Sequence, residues 1–118
     1  MGIVKIAEAQ IVSSILSYLG IRENMGEGLY WRNQTGSFRG EHESKDGTKK
    51  RWFAKTGKKG SADIIGLRPP NGRLVAIEVK RPGQKQSDDQ KAFQEKIEKM
   101  GGDYVLVYSL QDVLDHGL

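Results

Sequence analysis

A chain of 118 residues, 36% hydrophobic and 29% charged, is long enough to bury one core and is read as a single domain over residues 1–118. It has no cysteine, which excludes disulfides, zinc–thiolate centres and thiol catalysis, and no apolar run approaches the ~18 residues of a membrane span. A net charge of +4 favours an anionic partner, nucleic acid first among them, and a cytoplasmic setting without a membrane is expected.

Ile3 to Leu19 has helical periodicity, with Val4, Ile11, Ile15, Tyr18 and Leu19 on one stripe and Gly20 as the stop signal. Glu8 falls inside that stripe. A carboxylate there must find a cation, a metal or hydrogen-bond donors, become protonated, or reach back to water. After a Gly26–Gly28 loop, Leu29 to Phe38 reads as one strand with a bulge or bend at Gly36, and Arg32 on it is either a phosphate contact or an ordinary exposed residue. From Arg39 to Gly60, eight basic residues stand against Glu41, Glu43 and Asp46. Asp46-Gly47 signals a hairpin, with Arg51 to Ala54 as the returning strand. A basic arm carrying Lys49, Lys50, Arg51, Lys55, Lys58 and Lys59, with Trp52 and Phe53 beside them, suits a phosphate backbone. The plainer reading is a solvated loop whose aromatics turn into the core. His42 and His116 are too far apart in the chain, and too few, to suggest a metal site.

Ala62 to Lys80, ADIIGLRPPNGRLVAIEVK, has two β-branched runs around Pro-Pro-Asn-Gly and reads as a hairpin. Asp63 opens the first strand, and Glu78 and Lys80 close the second on one face, so the pairing brings Asp63 beside Glu78. Ser87 with Gln90 forms a capping box for a helix that ends at Gly101-Gly102. Its inner face holds Gln90, Phe93, Ile97 and Met100. Gln90 there either caps the helix or reaches the Asp63 end of the sheet. Asp103 to Tyr108 is a buried strand, parallel to the preceding one because a helix connects them, and Ser109 caps a last short helix.

Asp63 and Glu78, with the Val79 carbonyl between Glu78 and Lys80, offer hard oxygen ligands suited to Mg²⁺ or Mn²⁺ rather than zinc. A divalent ion there polarises a phosphoryl oxygen, and Lys80 either orients the attacking water or neutralises the charge that develops. Taken alone, a Glu-x-Lys pair is more often a salt-bridged strand edge. The conjunction with Asp63, Glu8, Gln90 and the basic loops shifts the balance toward a catalytic site.

Gly60-Ser-Ala-Asp63, Glu78-Val-Lys80 and Gln90 resemble the PD-(D/E)xK nuclease superfamily. Within it the chain is most similar to the small stand-alone virus-type replication-repair nucleases, the VRR-NUC family. Ala62 stands where the superfamily pattern has proline, a position that shapes backbone and donates no chemistry. The resemblance implies an α/β, restriction-endonuclease-like core in which a central mixed sheet is flanked by helices, in the order αβββαβ. It also implies metal ligation by Asp63, Glu78, Val79 and Glu8, a catalytic Lys80 and an assisting Gln90. The activity implied is Mg²⁺- or Mn²⁺-dependent DNA hydrolysis by a structure-selective endonuclease resembling Holliday-junction resolvases, which a homodimer suits. The alternatives are a flap-, nick- or end-directed nuclease of the same fold and a non-catalytic DNA-binding module.

Overall fold

The computed structural model describes residues 7–34 and 36–118, apart from the side chains of 36–38 and 54–56. Val4 of the apolar stripe and the side chain of Lys55 therefore lie outside the described residues.

The hairpin read from Ala62 to Lys80 forms as β4 (Ile64–Arg68) and β5 (Arg73–Val79), paired antiparallel with Ile64 opposite Ile77. β1 (Leu29–Arg32) pairs antiparallel with β4, and β6 (Asp103–Val107) pairs parallel with β5, giving the order β1-β4-β5-β6. The parallel pair is joined through α2 (Asp88–Lys99), as a crossover requires. Helix α1 (Glu8–Asn24) covers one face of the sheet and α2 the other, with α3 (Leu110–Asp115) beside α1. The main core lies under α1, where Ile15, Leu19, Ile64, Val75, Ile77, Val79, Val107 and Val113 are fully buried. Under α2 a smaller cluster of Ala62, Ala76 and Phe93 is flanked by Ile65, Leu74, Ile97 and Tyr104.

Between β1 and β4 the chain makes a separate two-stranded sheet, β2 (Gly36–Glu43) and β3 (Lys49–Thr56). Its turn is the one Asp46-Gly47 announced: Gly47 adopts φ 84°, and Thr48 N–H donates to Asp46 Oδ1 at 2.9 Å. With this arm set aside, the order is α1-β1-β4-β5-α2-β6. That is an α/β fold with a mixed central sheet between helices, as expected of a restriction-endonuclease-like core.

Several sequence expectations need correction. Ala7 is extended (φ −67°, ψ 143°), so α1 begins at Glu8, and it runs through Gly20 to Asn24; residues 3–6 of the expected helix lie outside the described residues. A helical glycine costs about 1 kcal/mol, less than the ~1.5–3 kcal/mol from burying Leu19 beside it. The stop is Gly26, which adopts φ 75° and donates its N–H to the Glu23 carbonyl at 2.9 Å. The Leu29–Phe38 strand is broken: β1 ends at Arg32 and Gly36 begins the arm. β3 is longer than the Arg51–Ala54 segment. Met100 leaves the inner face of α2 and is 87% exposed, because the helix ends at Lys99. β6 is half-buried along most of its length, since it forms a sheet edge.

Candidate active site

Asp63 precedes β4 by one residue, and continuing the β4–β5 register sets it across from Glu78. Its Oδ2 accepts a hydrogen bond from Val79 N–H at 2.8 Å, which ties the carboxylate to the end of β5. Three contacts hold the segment leading to it. Asn33, just past β1, donates its N–H to the Asp63 carbonyl at 2.8 Å. Its side-chain amide donates to Ser61 Oγ at 2.6 Å and to the Ala62 carbonyl at 2.9 Å. Gly60 adopts φ 78° and lies so close to the first turn of α2 that any Cβ would overlap the Asp89 carbonyl. The loop before Asp63 is thus pinned between the end of β1 and the start of α2.

Alternation along β5 sends Val75, Ile77 and Val79 into the α1 core and Ala76 toward α2. Glu78 and Lys80 follow Ala76 onto the α2 face. Glu78 is 2% exposed, and Lys80 Nζ stands 3.6 Å from its Oε1. The Gln90 side chain reaches the same oxygen, donating from Nε2 at 3.2 Å. At the same time Gln90 Oε1 accepts from Ser87 N–H at 2.9 Å, and Gln90 N–H donates to Ser87 Oγ at 3.2 Å. The two roles read as alternatives for Gln90, helix cap and site residue, are filled together, one by each end of its amide. The helix cap therefore fixes the rotamer that presents Nε2 to Glu78.

Glu78 Oε2 is buried without a hydrogen-bond partner among the described residues. Desolvation first, then the neighbouring Asp63 charge, push the Glu78 carboxyl up to about 8, against the opposing pull of Lys80. A buried carboxylate with an unpartnered oxygen, set against a second carboxylate, is under-compensated in positive charge. That is the donor set a hard divalent cation satisfies. The Val79 carbonyl shares the side of β5 from which Val79 N–H meets Asp63, because a strand residue's N–H and C=O point the same way.

The structure brings together Asp63, Glu78, Lys80 and Gln90, with Val79 between the two charged residues of β5. It does not bring Glu8 into contact with them. Glu8 opens α1 and is half-buried there, where a negative charge suits the helix start. Its charge reaches Glu78 as the weakest of the influences on that group. No group of three or more His, Cys, Asp or Glu side chains converges as a metal cage among the described residues. The basic candidates are dispersed. Arg32 is exposed at the end of β1, on the α1 face by its pairing with Ile64. Lys58 is exposed, Lys59 lies 3.4 Å from Asp89, and Lys49, Lys50 and Arg51 lie on the arm.

The positioning contacts of Asn33 and Gly60 were not assigned from sequence. Their only signal there was an amide within the segment read as one strand and a glycine three residues before a strand-opening aspartate. Tyr104 was also missed. It stands edge-on to Phe93 with ring centroids 6.3 Å apart, and its hydroxyl accepts from Gln86 Nε2 at 3.2 Å. Burial chiefly, and the nearby Glu78 and Asp63 charges, raise its phenol to about 12.

The VRR-NUC domain profile matches residues 23–111, a span that includes Asp63, Glu78, Lys80 and Gln90 and leaves Glu8 outside it. No curated protein gives a significant sequence match. No helix among the described residues is long and apolar enough to cross a membrane. With the profile covering most of its length, the chain belongs to the VRR-NUC family, nucleases of the PD-(D/E)xK type.

Proposed function

We infer that the chain is a metal-dependent, structure-selective DNA endonuclease that cuts branched DNA, four-way junctions foremost, as a homodimer. The observation that carries the catalytic part is the buried Glu78 carboxylate, its Oε2 unpartnered and Asp63 set against it. Asp63, Glu78 and the Val79 carbonyl would hold Mg²⁺, or Mn²⁺ in its place, with Glu8 as a more distant acidic support. When bound, the ion supplies Lewis-acid polarisation of the phosphoryl oxygen and lowers the pKa of water.

The chain's own residues do the rest. Lys80, anchored by Glu78, presents an ammonium to the phosphate as charge builds on its oxygens. Gln90 keeps Glu78 turned inward by donating to Oε1 and leaves Oε2 for the ion. Water attacks phosphorus, the bond to the 3′ oxygen breaks, and the products carry a 5′-phosphate and a 3′-hydroxyl. A junction requires two symmetric cuts, and a two-fold dimer of a one-site chain supplies them.

Labelled four-way junction, flap, nicked and linear duplex DNA, compared at one Mg²⁺ concentration, test this reading. The junction should be cut about tenfold faster than the linear duplex or more, a discrimination of roughly 1.4 kcal/mol. Glu8→Gln should raise the Mg²⁺ needed for half-maximal rate. Equal rates on all four substrates would reject junction selectivity, and preferred cutting of flap or nick would reassign the substrate. Binding without cleavage would identify a non-catalytic module.

A further inference from the structure

The β2–β3 arm has two unlike faces. Directly opposed residues share a face, so the register puts Arg39 with Phe53, Glu41 with Arg51 and Glu43 with Lys49 on one side. The other side carries Gly40 with Trp52 and His42 with Lys50, and no acidic residue occupies a register position there.

On the first face the two arginines already have partners. The Arg39 guanidinium lies 5.9 Å from the Phe53 ring centroid, and Arg51 Nε is 3.7 Å from Glu41 Oε1. On the second face the Trp52 indole lies on Gly40, so closely that a Cβ at position 40 would overlap the ring. A glycine inside a strand weakens it, and here it lets the indole lie flat against the backbone. Trp52 is nonetheless 48% exposed. The sheet uses the same pairing at Tyr30 over Gly66, but there the ring is packed against the α1 core.

We propose that Trp52, backed by Gly40 and flanked by Lys50 and His42, is a stacking platform for an unpaired nucleotide of the DNA substrate. The base stacks on the open indole face, and Lys50 meets the adjoining phosphate. A base inside a duplex has both faces covered by its neighbours, so this site selects splayed or single-stranded DNA. The proposal rests on DNA being the substrate and adds where, and by what chemistry, an unpaired segment is held.

The test uses a Trp31→Phe chain, in which Trp52 is the only indole, in buffer with EDTA so that nothing is cut. A short oligodeoxythymidylate should quench the Trp52 emission, and a blunt duplex of equal length should do so weakly. Trp52→Ala should weaken single-strand binding about tenfold and duplex binding less than about twofold, while Trp52→Phe should keep most of it. Phe53→Ala, on the opposite face of the arm beside the ion-paired Glu41 and Arg51, should change neither by more than about twofold. Absence of quenching, or equal losses on single strand and duplex, would overturn the proposal. So would a change of oligomeric state in sedimentation velocity at unaltered affinity, which would make Trp52 a subunit contact. Because the assay is metal-free, a chain that shows the quenching but never cuts fails as a nuclease without touching this proposal. A chain that cuts through Asp63 without the quenching rejects the proposal alone.

Discussion

At Glu78 folding moves a carboxylate out of water and sets Asp63 against it, so the metal-free fold favours the protonated acid up to about pH 8. The sign of the consequence is definite. The unfolded group titrates near 4.5, so the stability tied to the protonated form is complete below that pH and is lost as pH rises toward about 8. Melting curves in EDTA should therefore show the parent losing stability relative to Glu78→Gln across this window. The difference should be a few kcal/mol in order of magnitude. A parent and variant that stay parallel from pH 5 to 9 would contradict the buried, under-compensated carboxylate. Asn33 acts on the neighbouring acid without touching substrate. Asn33→Ala removes two side-chain hydrogen bonds to the loop before Asp63, and about 1–2 kcal/mol of stability should go with them. Its signature as a positioning residue is a kcat about tenfold lower at nearly unchanged KM for DNA. A loss confined to KM would make it a binding residue.

Among the elements, the junction of the Asp63 loop with α2 sets the distance between the two halves of the site. Gly60→Ala forces a Cβ into the Asp89 carbonyl at a backbone angle that L residues avoid. The variant should lose about 2–3 kcal/mol in denaturant titration, and its activity should fall more than that of Gly101→Ala, where nothing lies within 4 Å of an added Cβ. The same elements explain what was legible in the sequence. The β4–β5 hairpin and α2 carry their own instructions: a Pro-Pro-Asn-Gly turn between β-branched runs, and a Ser87-Gln90 box that caps the helix as read. The approach of Asp63 to Glu78 followed from that hairpin alone. The end of β1 did not, because Asn33 to Thr35 hold no proline or glycine and Gly36 reads as a bulge or bend within one longer strand. What ends the strand is Asn33 bonding to Ser61 and Ala62, 28 and 29 residues further on. The start of α1 is likewise set where Ala7 turns extended and Gln10 Oε1 accepts its N–H at 3.1 Å, not by the periodicity.

For the molecule as a whole, the sheet and helices build one end where Asp63, Glu78, Lys80 and Gln90 meet, and the arm extends the chain beyond that core. β2 and β3 pack chiefly on each other, and the radius of gyration is 17.8 Å, against about 13.5 Å for a compact domain of this length. On the proposed function the work divides: the core would supply the chemistry, and the projecting basic, aromatic arm would add contact area for an extended polyanion. The pairing at the sheet end is the part on which everything else depends. It is tested most directly by measuring Mg²⁺-dependent cleavage of four-way junction DNA by the parent, Asp63→Asn and Lys80→Ala chains, with EDTA as the blank. The parent should cut only with the metal, and each variant should be slower by about a hundredfold or more. Variants that both cut like the parent would show that the reaction is carried out elsewhere in the molecule.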